Sequence, residues 1–496
     1  TAIIAAAKGT QDLMIVARAG CAKTTTIKLL VPSLPTQSVL ALAFNKKNAL
    51  DLKAELPPYV QSKTLNALGY KAWWQFLGRK EMTVDTKKNY QVIQTICGKQ
   101  NISLSKEEKS MLADLLNAGR ALGFMPKGSP IPGLSIVRDD EDGIETIFDW
   151  ADVDYRQDLE VLFRAGMVEH IRQGLAGTID FNDQIYLPVV FSAPFDRFDT
   201  VVVDEAQDLS DLNHRMIKRA CAKRMIMVGD DKQAIYAFRG ALSDSMGKLA
   251  AMRDFQFLPL TMTFRCGKAI VARAQDYVPD FVASPGNSEG SVEDWTKEGP
   301  HHNDADSHIE WHARDIPAHS AVICRNNAPL IKLAFKLLRQ GRGVQMLGND
   351  IGKSLERALD LAAKGLSPDT PSPTVLAAVE AWFKKEISKA KTDRKIESLE
   401  DRWECVAAIV EEAADLRGAR NLCHKLFEDA AAVVTLSSGH KAKGLEWDSV
   451  IHLDPFRIPS RYAHSPEALT QESNLRYVIE TRARHRLILA NLEDFE

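Results

Sequence analysis

The sequence predicts an α/β protein of buried parallel strands, interrupted by two mainly helical insertions. Three observations lead there. Short, mostly apolar runs recur at 13–17, 38–44, 200–203, 224–228, 320–324 and 449–453, between stretches of helical periodicity. Such runs are what strands buried on both faces of a parallel sheet look like. The strand signals vanish twice, over residues 85–180 and 351–426. Finally, several runs end abruptly in charged or small residues, the edge at which open α/β sheets bind ligands.

The most informative run is Val201-Val202-Val203, which leads straight into Asp204 and Glu205. Two carboxylates at the rim of a sheet suit a metal-bound phosphate, whereas a strand ending in a polar turn is the bland alternative. The run at 13–17 leads into Arg18-Ala19-Gly20-Cys21-Ala22-Lys23-Thr24, and then into Thr25-Thr26-Ile27, which opens a helix. Strand, small-residue loop, Lys-Thr and helix form the architecture of a phosphate-binding loop. Backbone N–H groups and the helix N-terminus cradle phosphate, the Lys neutralises it, and the hydroxyl reaches Mg²⁺. The strict pattern G-x-x-x-x-G-K-[ST] fails at both glycines, which are Ala17 and Ala22. A left-handed backbone at Ala22 would cost roughly 1 kcal/mol relative to Gly.

The remaining elements follow in order. A helix runs to about Leu56, before Pro57-Pro58. Lys63-Thr64-Leu65-Asn66 precedes Tyr70, Trp73, Trp74 and Phe76, an aromatic group read as core. Ser105 and Glu108 make a capping box ahead of Met111, Leu112, Leu115 and Leu116. Residues 124–143 are a loop, 208–221 a helix and 258–263 a strand, followed by Phe264-Arg265 and a helix from about Gly267. Residues 284–307 are a polar loop or linker. His308 and His312 sit at i and i+4 but lack the H-E-x-x-H order, so they are not read as a metal site. A helix at 328–339 and a strand at 344–347 precede the second insertion, in which Trp403, Val406, Val410 and Ala413 form one helical face. Residues 432–438 return to strand, 439–446 form a basic loop, 475–484 a helix and 486–490 a closing strand.

Composition bounds the function. The 496 residues are 45% apolar and 26% charged with a net charge of -3, so no global basic signature marks a nucleic-acid partner, although a local cleft can still be basic. Seven cysteines without a C-x-x-C pair read as buried thiols in a reducing, intracellular compartment, cytoplasmic or nuclear. No apolar run approaches ~18 residues, so no membrane span is expected, and no secretory signal is read at the start.

Taken in order, ARAGCAKT (17–24), AFNKKNA (43–49), KTLNA (63–67), VVVDEAQD (201–208), VGDDKQAIYAFRG (228–240), TFRC (263–266), SGHKAKGLE (438–446) and YVIETRAR (477–484) extend over nearly the whole chain. This order resembles superfamily 1 DNA helicases of the UvrD/Rep type, in a compact branch similar to the F-box DNA helicase. The resemblance implies two tandem RecA-like cores: 1A at 1–84 and 181–250, and 2A at 251–350 and 427–496. The insertions would be 1B at 85–180 and a short 2B at 351–426.

It further implies ATP and Mg²⁺ in the cleft between the cores, with Gly20, Cys21, Ala22, Lys23, Thr24 and Thr25 forming the nucleotide loop. Lys23 would contact the β/γ-phosphates, Thr24 and Asp204 would hold Mg²⁺, and Glu205 would activate water. Gln233 would sense the γ-phosphate, with Arg265 and Arg482 as arginine fingers. Phe264 would stack on adenine and Glu446 would bind near the ribose. The family's adenine-reading glutamine motif is not found just before the phosphate-loop strand. Single-stranded DNA would meet Phe44, Thr64, Tyr236, Phe238, Ser438 and His440, and also Asn66, which stands where the family usually has His. The implied activity is ATP-driven 3′→5′ unwinding of tailed or forked duplexes by a monomeric core unit, with partners among replication, repair or recombination proteins. Two alternatives are a translocase that strips proteins from DNA and a non-hydrolysing nucleotide-binding module.

Overall fold

The computed structural model describes residues 2–235, 244–296, 312–390, 392–427 and 433–495. The chain divides into one unit of Thr1–Ala17 with Ala22–Leu260 and a second of Arg18–Cys21 with Thr261–Glu496.

In the first unit the strands are β1 (Asp12–Ala17), β2 (Val39–Ala43), β3 (Val60–Thr64), the short pair β4 (Thr83–Val84) and β5 (Thr178–Ile179), β6 (Phe198–Val203), β7 (Cys221–Gly229) and β8 (Phe255–Leu260). Six of them make one parallel sheet in the order β3-β2-β6-β7-β1-β8. The apolar runs are continuous because both faces are covered. Leu13, Ile15, Val39, Ala41, Val202 and Ile226 pack on one side with Ile27 and Leu30. Met14, Leu40, Leu42, Val201, Val203 and Met227 pack on the other with Met216 and Ile217. This is the period-2 alternation of a strand buried twice.

The helices start where the sequence supplies caps. Asn45 accepts the Asn48 N–H at 2.8 Å and opens Lys46–Glu55. Ser105 and Glu108 complete their capping box and open Lys106–Ala121. The helical insertion also holds Lys88–Gln100, Glu141–Ala151 and Gln157–Ala176. It has its own core, in which Trp73, Ile93, Leu112, Phe148, Phe163 and Ile171 are buried together. The Trp73 indole is fully buried and donates to the Gly174 carbonyl at 3.1 Å, so it is core, as its sequence context suggests.

The second unit holds β9 (Met262–Thr263), β10 (Val282–Ala283), β11 (Ser291–Asp294), β12 (Ser320–Cys324), β13 (Val344–Met346), β14 (Val434–Ser438), β15 (Trp447–Leu453) and β16 (Ala483–Ala490). Its six-stranded parallel sheet runs β11-β16-β15-β12-β14-β13. The second insertion comprises Asn349–Ala362, Ser372–Lys389, Asp393–Glu411 and Leu416–Leu426. Val379, Phe383, Val406 and Val410 of these helices share one core with Val322, Leu436 and Ile451 of the sheet.

Several boundaries differ from the sequence reading: the stretch 284–307 read as a loop holds β11, because Ser291–Asp294 pairs with β16, and the loop 439–446 opens with the short helix Gly439–Ala442. The run at 258–263 is two strands, since β8 pairs with β1 while β9 pairs with β10. Residues 251–260 therefore complete the first sheet instead of opening the second core, and Pro259 is accommodated because β8 is an edge strand. The helix expected over 208–221 is Asp211–Ala220, entered through a single turn at Ala206–Asp208. The helix expected to reach 484 is Pro466–Glu480, because Ala483 already pairs with Trp447 as the start of β16. All seven cysteines are free and buried. No helix among the described residues is long and apolar enough to cross a membrane. Residues 308–311 of the His308/His312 pair lie outside the described residues.

One close approach joins the two helices that flank the helical insertion in sequence. Gly69, in the helix Leu65–Phe76, lies against the helix Asp183–Val190, and a Cβ there would stand 1.8 Å from the Gln184 carbonyl oxygen. Gly69→Ala should destabilise the first unit by about 2–3 kcal/mol, the cost of overpacking a closed contact. A lower midpoint for the first urea transition checks this.

Candidate functional site

The phosphate-loop segment is shaped by two left-handed residues. Gly20 has φ +66, and a Cβ on it would stand 2.5 Å from Arg265 Cβ and 2.6 Å from Thr263 Oγ1, so only glycine fits. Ala22 has φ 59 and ψ 43, the conformation that makes alanine costly, and is the residue ahead of helix Lys23–Leu30. Within the second unit, Arg18–Cys21 is held by the bidentate Arg18–Asp280 pair, the Tyr477 hydroxyl accepting from Ala19 N–H at 2.8 Å, and Phe264 N–H donating to Gly20 O at 3.0 Å. Cys21 is buried and Thr25 is exposed.

In the first unit the helix after β1 and the end of β6 bring the expected charged groups together. Lys23 Nζ lies 2.6 Å from Glu205 Oε2. Burial disfavours the ammonium, but Glu205 first, then Asp204 and Asp230, outweigh it and hold the pKa above the ordinary lysine value. Asp204 is buried, and burial followed by repulsion from Glu205 pushes its pKa up to about 7, against the pull of Lys23 and the Thr24 hydroxyl. A buried carboxyl beside a second carboxylate and a threonine hydroxyl fits a divalent cation: it is short of positive charge and rich in oxygen. Glu205 is itself left-handed, at φ 55 and ψ 46. Such strain in a non-glycine residue clusters at functional sites.

A residue that sequence reasoning passed over links this group to the next strand. Gln207 donates from Nε2 to Glu205 Oε2 at 2.6 Å and accepts the Asp230 N–H on Oε1 at 3.0 Å. Asp230 Oδ2 in turn accepts from Gln233 Nε2 at 2.6 Å. Gln207, Asp230 and Gln233 are all buried, and Gly229 makes room, since a Cβ there would meet Gln207 Oε1 at 2.6 Å. The motif spelled out Gln207, but its bridging geometry depends on β6 and β7 being neighbours.

Beside Asp204 and Glu205 lies a cavity of about 350 Å³, also lined by Phe44, Asn66, Arg120, Asn182, Asp208, Ser210 and Asn213. Phe44 is 57% exposed. The Thr64 hydroxyl accepts from Ala67 N–H at 3.2 Å and caps the next helix. Asn66 does not stand free: its Nδ2 donates to the Phe181 carbonyl at 2.8 Å. Phe181, 59% exposed, is a further aromatic the sequence reading did not select. Tyr236 and Phe238 lie outside the described residues.

In the second unit Phe264 is 62% exposed. Arg265 Nε is 2.5 Å from Glu446 Oε2, and Glu446 also pairs with Arg484. Arg482 is buried and donates to Val478 O, Leu445 O and Thr481 Oγ1 at 2.8, 3.1 and 3.3 Å. Burial, then the like charge of Arg265, lowers its pKa to about 10. Ser438 is buried at the end of β14 and His440 is half-buried in the short helix Gly439–Ala442.

Ala22→Gly should relax the loop and stabilise the first unit by roughly 1 kcal/mol, leaving ATPase activity intact or modestly faster. Nucleotide turnover and thermal melting of the variant check this, and a large loss of turnover would make the methyl group a required packing element.

Residues 153–254 match the UvrD/REP helicase N-terminal domain, and residues 381–494 match the UvrD-like helicase C-terminal domain. F-box DNA helicase protein 1 of Schizosaccharomyces pombe is 27% identical over 312 residues, covering 60% of this chain and 34% of that protein. ATP-dependent DNA helicase UvrD2 of Mycobacterium tuberculosis is 28% identical over 337 residues, covering 60% of this chain and 47% of that protein. F-box DNA helicase 1 of Gallus gallus is 24% identical over 322 residues, covering 59% and 29%. The chain thus spans less than half the length of these relatives. Each unit thus carries a match to one half of a UvrD/Rep-type helicase, and with the ordered motifs between them the chain is similar to DNA helicases of that type along most of its length.

Proposed function

We propose that this chain is the motor of a DNA helicase that moves 3′→5′ on single-stranded DNA and spends ATP to open tailed or forked duplexes. The observation that carries the reading is the meeting of Lys23, Thr24, Asp204 and Glu205 at the C-terminal edge of the first sheet. Phosphoryl transfer asks mainly for positioning and charge neutralisation. Lys23 neutralises the β/γ-phosphates, and the N–H groups of the loop and helix Lys23–Leu30 cradle them. A magnesium ion held by Thr24 and Asp204 would neutralise further phosphate charge. Glu205 orients the attacking water and takes its proton, with Gln207 keeping its carboxylate in place. Gln233 senses the γ-phosphate, and Arg265 and Arg482 act on it as arginine fingers. Phe264 stacks on adenine, and Glu446 exchanges Arg265 for the ribose.

For DNA, the exposed ring of Phe44 serves as a stacking platform, Phe181 offers a second exposed ring held through its carbonyl by Asn66, and Thr64 ends β3 next to the helix that carries Asn66. Ser438 and His440 hold the strand on the second unit, and Tyr236 and Phe238 are assigned to strand binding from their motif alone. Aromatic faces and hydroxyls of this kind grip a strand without reading its sequence. A second reading, a translocase that strips proteins without processive unwinding, is favoured by one observation: the helices between 349 and 426 share the sheet's core and form only a small insertion. Strand displacement set against displacement of a protein block separates the two. DNA-stimulated ATPase and unwinding on duplexes with a 3′ or a 5′ tail test the polarity, with the 3′-tailed substrate expected to be opened.

Glu205→Gln should keep nucleotide binding and lose turnover by ~10²–10⁴-fold, the usual contribution of a catalytic base. Turnover within a factor of two of wild type would remove Glu205 from this role. Phe264→Ala should raise the ATP KM, because a stacked ring is lost, while leaving strand affinity unchanged. A steady-state ATP titration beside a DNA-binding titration reads both.

A further inference from the structure

At the base of the helical insertion, behind the wall of the cavity that also reaches Asp204 and Glu205, four charged side chains are buried together. Arg120 is fully buried and its Nη1 reaches Asp180 Oδ2 at 2.6 Å and Asp183 Oδ1 at 3.1 Å. Lys88, also fully buried, reaches Asp183 Oδ2 at 2.5 Å. The two carboxylates also clasp each other's backbone: Asp180 N–H donates to Asp183 Oδ2 at 3.1 Å and Asp183 N–H to Asp180 Oδ1 at 2.9 Å. Only Phe181 and Asn182 lie between them. That two-residue arch is held on its other sides as well. Asn66 donates to the Phe181 carbonyl at 2.8 Å, and Asn182 Nδ2 donates to Asn117 Oδ1 at 3.0 Å. Arg120 Nη2 donates to the same Asn117 oxygen at 2.8 Å.

His170, Asp180 and Asp183 offer ligand atoms within 4.8 Å of one another, but a divalent cation would find both carboxylates already matched by Arg120 and Lys88. Burial, and then the Arg120 charge, keeps the His170 imidazole neutral. The cluster is therefore a closed, charge-balanced lock. Such a lock adds little net stability over an apolar core. What it secures is a single geometry for the groups it touches, because a half-satisfied buried network is costly. The groups it touches are the arch with the exposed Phe181 ring and the Asn182 side chain at the wall of the cavity shared with Phe44 and Asn66.

We propose that Arg120 is a positioning residue for strand binding, fixing the Phe181–Asn182 arch beside the cavity so that it meets single-stranded DNA already shaped. The proposal rests on the helicase reading and adds a residue that touches neither ATP nor the strand. A preformed contact spares the strand the entropy of ordering the arch, so loss of the lock shows as weaker strand engagement and not as slower chemistry.

The test is the ATPase of the full chain titrated with an oligothymidylate. Arg120→Lys keeps the charge but loses the guanidinium fork. It should raise the half-saturating DNA concentration roughly tenfold, the share of a stacked base, with kcat at saturating DNA within twofold of wild type. Phe181→Ala should raise it similarly. In the Phe181→Ala background, Arg120→Lys should add less than twofold, since it acts through that ring. If Arg120→Lys melts below the assay temperature, Asn117→Ala takes its place with the same expected pattern. The proposal is overturned if the positioning variant leaves half-saturation unchanged, lowers kcat in proportion, or weakens DNA equally with and without the Phe181 ring. It is also overturned if Phe181→Ala alone has no effect. Absence of any DNA stimulation in the wild-type chain would instead overturn the helicase reading itself.

Discussion

The edge of the first sheet depends on the charge carried by Lys23. One buried ammonium faces Glu205, Asp204 and Asp230. The carboxylates outnumber it, and burial first, then repulsion from Glu205, pushes Asp204 up to about 7. More positive charge, not more hydrogen bonds, is what this edge lacks. The local backbone is strained to build it: Ala22, just before Lys23, and Glu205 itself are both left-handed without being glycine. The largely buried strands β1 and β6 behind them supply the rigidity that holds such conformations.

The second unit handles charge in the opposite way. There carboxylates act as hubs: Glu446 serves Arg265 and Arg484, and buried Glu480 serves Arg273, Tyr277 and His452. Arg482 is held by three uncharged oxygens and carries its charge in a buried place. Glu480 ends the helix that precedes it, so its hub fixes the point at which the chain turns toward Arg482 and β16.

Much of this was legible in the sequence because it depends on near neighbours. Apolar runs marked the strands, Ser105 and Glu108 their capping box, and Val203-Asp204-Glu205 a strand ending in carboxylates. What was hidden depends on partners far along the chain. Nothing around Pro259 says that its strand pairs with β1, and helical periodicity past Glu480 masks a strand whose start is set by Trp447. No spacing rule joins Arg120 to Asp180 and Asp183. Asn66 shows the same limit: its side chain is committed to the Phe181 carbonyl, a bond invisible until the insertion is folded against the sheet.

The amide of Gln207 has a direction. Its nitrogen end faces a carboxylate and its oxygen end faces a backbone N–H. A carboxylic acid side chain could satisfy only the second and would repel Glu205, while a hydrocarbon of the same shape would strand both partners. The fourth letter of Asp204-Glu205-Ala206-Gln207 is thus constrained by polarity more than by size, and it gives the edge of the sheet a directed wiring in which one end of a side chain donates a hydrogen bond and the other accepts one.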